Sequence, residues 1–169
     1  MSEGRRTGAA GLVIALFFLT TACPALAQEK SGEGLPPPKD TIFARKILMG
    51  AIDMNMDEIE TMLAPEGKLD SAEGREHADA ISIMLMAFPH LFPPATNQWK
   101  PNVDRDPATD TFASPELWTS FADFYKRATE ASKLAYAASR AERADQFRAS
   151  IAQLRAACNG CHAAYQKTE

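Results

Sequence analysis

Five residues near the end of the chain, Cys158-Asn159-Gly160-Cys161-His162, constrain it more than any other stretch. Two thiols separated by two residues, followed at once by an imidazole, form the pattern through which a c-type haem is attached. The cysteines make thioethers to the haem vinyl groups and the histidine ligates the iron. The chain contains three Cys and three His in all. A zinc site needs three or four protein ligands, and beyond the motif only Cys23, His77 and His90 remain. A thioredoxin-like pair would need a strand–helix context that this sequence lacks, and a plain disulfide would not need His162. The motif therefore predicts one haem c per chain, covalently bound through Cys158 and Cys161, with His162 on the iron.

The N-terminus supports this. Arg5 and Arg6 precede an apolar run, Gly11 to Leu19, which is too short to span a membrane as a helix. Ala25-Leu26-Ala27 has the form of a signal-peptidase site. Residues 1–27 read as a secretory signal, so the mature chain is exported, as c-type haem attachment in bacteria requires. Leu19-Thr20-Thr21-Ala22-Cys23 offers a lipid-attachment alternative through Cys23, against which Thr20 stands where a large aliphatic residue is usual. Removing residues 1–27, which carry two Arg and one Glu, leaves 142 residues with a net charge of −5. That length supports one core. That charge argues against a nucleic-acid partner and mildly favours a basic or neutral docking partner. No further membrane-span candidate follows the signal.

Residues 28–40 are polar and rich in Gly and Pro, and read as a tether. Residues 41–169 read as an all-α domain. A first helix, capped by Asp40 or Thr41, runs to about Leu63, with Arg45, Met49, Ile52, Met56, Ile59 and Leu63 along one stripe. Asp70 caps a second helix, about 71–87, stopped by Pro89. A long loop, 88–113, follows; Phe92 and Trp99 are expected to pin it to the bundle. Ser114-Pro115-Glu116 opens a third helix running to about Ser139, with Trp118, Phe121, Tyr125, Ala128 and Ala135 facing inward. The fourth, from about Ala144 to Lys167, carries the stripe Phe147, Ile151, Leu154, Cys158, Cys161 and Tyr165. Both haem cysteines thus lie on the inner seam of their own helix, and the haem must enter the bundle. Four helices with no strand signal make an antiparallel four-helix bundle the simplest fold.

In such a bundle the last turns of helix four lie level with the start of helix one and the end of helix two. Met sulfur is a recognised ligand opposite His. Met49 lies on the helix-one seam at about that level. Met56 shares the face but sits about 10 Å further along at 1.5 Å per residue. Met54 is rotated off the face, Met62 and His77 are at the far end, and Met84, Met86 and His90 stay open as competitors.

These residues resemble the class II c-type cytochromes: cytochrome c-prime and its low-spin, methionine-ligated relatives of the c-556 type. The resemblance covers roughly 41–167. Besides the haem motif it rests on Arg45-Lys46-Ile47-Leu48-Met49, with its spacing to Lys68-Leu69-Asp70, and on Ser114-Pro115-Glu116-Leu117-Trp118. His90-Leu91-Phe92-Pro93 is similar to the c-556 branch in particular. Cytochrome c-prime usually places a non-ligating apolar residue at the distal position, leaving the iron open to nitric oxide or carbon monoxide. The c-556 type places a ligating Met there, and the resemblance implies that Met49 is the second axial ligand. Members commonly carry a basic residue four positions after the ligating His; here that position is Gln166.

The expectation is a periplasmic carrier of single electrons, serving redox partner proteins through a His/Met haem, and not an enzyme. Arg45, one turn before Met49, is a candidate contact for a haem propionate, weighed against a solvated side chain at the helix start. The alternative function is a gas-binding protein with an open or displaceable distal site. A homodimer through the first two helices is implied by the resemblance alone.

Overall fold

A computed structural model describes residue 34 and residues 36–106 and 109–167. The signal segment, Cys23 and most of the tether lie outside these residues. The described domain consists of α1 (Pro38–Leu63), α2 (Ser71–Ala87), a short α3 (Glu116–Thr119), α4 (Phe121–Ser139) and α5 (Ala144–Tyr165). Two 3₁₀ turns, Phe88–Leu91 and Pro94–Thr96, sit in the long connection. Among the described residues there is no strand, and no helix is long and apolar enough to cross a membrane.

The bundle is antiparallel. α1 packs on α2, α2 on α4, and α4 on α5. Helix starts follow local chemistry. Pro38 begins α1, two residues ahead of Asp40, because a proline in the first turn sacrifices no helical hydrogen bond. Asp70 caps α2 by accepting from the Ala72 and Glu73 amides at 2.9 and 3.1 Å. α2 ends at Ala87, just ahead of Pro89, as expected. The chain then tightens into the 3₁₀ turn Phe88–Leu91, which tolerates the missing N–H.

The third predicted helix is corrected in one respect: it is two helices. Ser120, at φ −117° and ψ 33°, breaks the run between α3 and α4. The break rotates the inward face by one residue. Leu117 and Phe124 are buried, whereas Phe121 and Tyr125 are 37% and 43% exposed. The Trp118 indole, half-buried, donates to the Phe92 carbonyl at 3.1 Å, so the long loop is tied to α3. The rest of α4 keeps its expected inner residues Ala128 and Ala135 and adds Ala131 and Ala138. Small side chains let α2 and α4 approach closely, and Ser132 Oγ donates to the Ser82 carbonyl at 2.8 Å between them.

Candidate haem site

α5 builds one wall of the site. Phe147, Ile151, Leu154 and Tyr165 are buried, and Cys158 and Cys161 continue the same stripe half-buried. They border a cavity of about 390 Å³, within the range that cofactor sites occupy. α1 contributes Arg45, Met49, Ile52 and Met56 to its lining; α2 and the following turn contribute Ile81, Leu85 and Phe88; α4 contributes Phe124 and Ala128. The lining is mostly hydrocarbon, as a porphyrin face requires, and thiols and imidazole meet at its edge. That donor set fits a covalently held haem.

His162 lies at the cavity's rim with its outer side exposed. Desolvation of its inner side holds the imidazole below its ordinary pKa, although Asp53 pulls the other way. Neutral imidazole is the form that ligates metal. Burial also raises both thiols, Cys161 to about 11.

The methionines separate clearly. Met49 and Met56 border the cavity; Met84 packs against the core elsewhere, and Met54 and Met86 face solvent. Met49 touches both core clusters, the one that includes Cys158 and the one that includes Cys161. Neither remaining histidine borders the cavity. His90 stacks edge-on to Tyr125 at the surface, and His77 pairs with Asn55 through Nδ1 at 2.8 Å.

Arg45 is neither solvated nor paired with a carboxylate among the described residues. It is 4% exposed. Its two terminal nitrogens donate to the Leu91 carbonyl (3.4 Å), the Thr96 hydroxyl (2.8 Å), the Thr96 carbonyl (3.4 Å) and the Thr111 hydroxyl. Its guanidinium also lies over Phe92 and Trp118, at 4.5 and 5.6 Å from the ring centroids. Burial lowers its pKa to about 10, so it stays charged at neutral pH. A guanidinium has five N–H groups, and only the Nε–H is left for any further acceptor.

Sequence reasoning missed the aromatic wall. Phe88, Phe92 and Phe124 pack edge-on around the cavity, with Phe92 and Phe124 centroids 4.8 Å apart. It also missed a polar cluster beside the motif. Tyr165 donates to Asp123 at 2.6 Å, and Arg127 Nε donates to the same carboxylate oxygen at 2.6 Å. The Tyr165 hydroxyl, then Arg127, hold Asp123 below the 3.8 of an ordinary aspartate. A carboxylate so depressed stabilises the fold above its unfolded pKa and loses that contribution as pH falls through its folded value. Tyr165→Phe should therefore be less stable than wild type at neutral pH. The gap should close as pH falls through the depressed folded-state value of Asp123, below the ordinary 3.8; urea midpoints at a series of pH values measure it.

The family profile described as Cytochrome C′ matches residues 40–166. Comparison with curated proteins gives no match. Among solved structures, cytochrome c′ from Thermochromatium tepidum is 25% identical, covers 78% of this chain and 97% of its own, and has a TM-score of 0.67. A cytochrome c′ described as showing ligand-controlled dimer dissociation is 23% identical over 80% of this chain and 99% of its own, with a TM-score of 0.66. A nitric oxide complex of a cytochrome c prime variant from Alcaligenes xylosoxidans is 20% identical over 80% and 100%, also with a TM-score of 0.66.

Proposed function

Because the chain belongs to the cytochrome c′ family, we propose that it is an exported, periplasmic haem c protein that binds a small gas molecule by displacing Met49 from the iron. The haem supplies the iron and the gas affinity. Cys158 and Cys161 would anchor the haem, His162 would ligate its iron, and Met49 would offer a second, displaceable ligand. Arg45, through its remaining Nε–H, contacts a propionate.

The observation that carries this reading is the character of the wall around Met49. Phe88, Phe92, Leu117 and Phe124 offer no hydrogen-bonding side chain, and the nearby Arg45 and Lys46 are turned to Thr111 and the Asp110 carbonyl. Such a surface suits an apolar diatomic and gives no acid–base assistance to chemistry on it. The solved nitric oxide complex of a similarly folded protein lends support. Met49 sits partly buried on an unbranched, flexible side chain that can swing away without moving the helix.

A second reading keeps Met49 bound throughout and makes the protein a low-spin electron carrier of the c-556 type, meeting redox partner proteins in the periplasm. Met49 at the cavity lining favours it. Visible spectra of the haem-loaded protein, oxidised and reduced, with and without carbon monoxide or nitric oxide, separate the two. A reduced spectrum that shifts with carbon monoxide supports gas binding. A sharp reduced α-band untouched by carbon monoxide makes the protein an electron carrier.

The assembly belongs to the same proposal. Phe43, Ile47 and Met54 line the outer face of α1, and Ile83 and Met86 that of α2, all more than half exposed. These two helices form the interface of a homodimer. Ile47→Glu should give a monomer by light scattering at concentrations where the wild type is dimeric, with an unchanged haem spectrum.

A further inference from the structure

Along the cavity, α1 and α5 are not in close backbone contact. The last turn of α1 is tied to the beginning and middle of α5 by Arg148, which donates to the Leu63 carbonyl, and by Arg155, which forks onto Glu60 at 2.6 and 2.8 Å. At the other end, where Met49 and His162 lie, a different part of the chain does this work.

Residues 110–114 are bonded to both helices within five positions. On the α1 side, Thr111 accepts from Arg45, and the Asp110 carbonyl accepts from Lys46 Nζ at 2.8 Å. On the α5 side, the Ser114 amide donates to the Tyr165 carbonyl at 2.9 Å. The Lys167 amide donates to the Phe112 carbonyl at 2.8 Å, completing an antiparallel bridge between Ala113 and Gln166. The Gln166 amide in turn donates to the His162 carbonyl at 2.9 Å. A path of hydrogen bonds joined by short main-chain links thus runs from Arg45, one turn before Met49, to the backbone of His162.

We infer that residues 110–114 are a strap that ties α1 to α5 and sets the width of the cleft between Met49 and His162, with Arg45 as its anchor. Arg45 is a positioning residue. Its fork reaches three points on the connection (Leu91, Thr96 and Thr111), so it fixes the strap and the loop that carries Phe92 together. A lysine would keep the charge but not the fork. The strap's effect on gas binding rests on the proposed function; the strap itself does not.

The test uses haem-loaded protein and two variants. Arg45→Lys removes the fork, and Thr111→Val removes one acceptor at the strap while leaving Arg45 its other partners. Hydrogen exchange at the Ser114 and Lys167 amides, read by NMR, should accelerate roughly tenfold in each, the loss expected for one hydrogen bond to a charged group. The Ala131 amide in α4 should not change. The rate of carbon monoxide combination with reduced protein should rise several-fold in both variants. Unchanged exchange at Ser114 and Lys167 in both variants overturns the strap, whatever happens to the haem. Faster exchange with unaltered carbon monoxide kinetics overturns its role in setting the cleft. If wild-type protein takes up no carbon monoxide, the gas-binding reading falls, and the exchange measurements still decide the strap.

Discussion

Met49→Leu is expected to raise the apparent affinity of the reduced protein for carbon monoxide by about a hundredfold. On the proposed function, a gas ligand and the Met49 thioether compete for one iron position. The gas ligand's apparent dissociation constant is the intrinsic one divided by the fraction of molecules in which that position is free. If about one molecule in a hundred is free, removing the sulfur restores the full affinity. Leucine is the right probe because it conserves volume and apolar character, an exchange that usually costs less than about 1.5 kcal/mol. Met49 is half-buried between two core clusters, so a smaller replacement would confuse packing with ligation. The oxidised variant should also lose the weak far-red sulfur–iron band and become high-spin. A variant that matches wild type in both spectrum and titration would remove Met49 from the iron and leave Met56 as the methionine that borders the cavity.

The largest expected loss of stability is at Phe124. Its ring is 2% exposed and lies 4.8 Å from Phe92, 5.6 Å from Tyr165, 5.9 Å from Phe121 and 6.3 Å from Phe88, centroid to centroid. Phe124→Ala removes the centre of this cluster and opens a hole beside the existing cavity. A buried phenylalanine truncated to alanine costs about 3–5 kcal/mol. Urea unfolding should show a midpoint lowered by that amount divided by an unchanged m-value. Phe121→Ala, one turn away and more than a third exposed, should cost much less, about 1 kcal/mol or under. Equal losses at the two positions would contradict the register that the break at Ser120 imposes.

The contrast between Phe121 and Phe124 also shows where the sequence was readable. α5 was legible because its stripe runs unbroken at steps of three and four through Phe147 to Tyr165, and the two cysteines fall on it. α2 was legible from its cap. The third segment was not. Trp118, Phe121 and Tyr125 keep helical spacing as well as Leu117, Phe124 and Ala128 do, and nothing such as Pro or Gly marks Ser120 as a break. The choice is made by the long loop, whose Phe92 carbonyl captures the Trp118 indole. Arg45 was hidden for the same reason. Its partners lie 46 to 66 residues away, in a connection without periodicity. Local pattern placed the residue at the right level of the bundle but could not reveal what surrounds it.

The alanines of α4 have a consequence for the whole cross-section. Ala135 and Ala138, both fully buried, bring α4 against α2 with little between the two backbones. On the opposite edge, α1 and α5 stand apart along the cavity. The section through the bundle is therefore a trapezoid, with its short side at α2–α4 and its long side at α1–α5. The short side works as a fulcrum. A methyl group added at Ala135 or Ala138, both fully buried and neither bordering the cavity, has to push the two helices apart, and the displacement should grow toward the long side. Residues that do not border the cavity should thereby share control of its width.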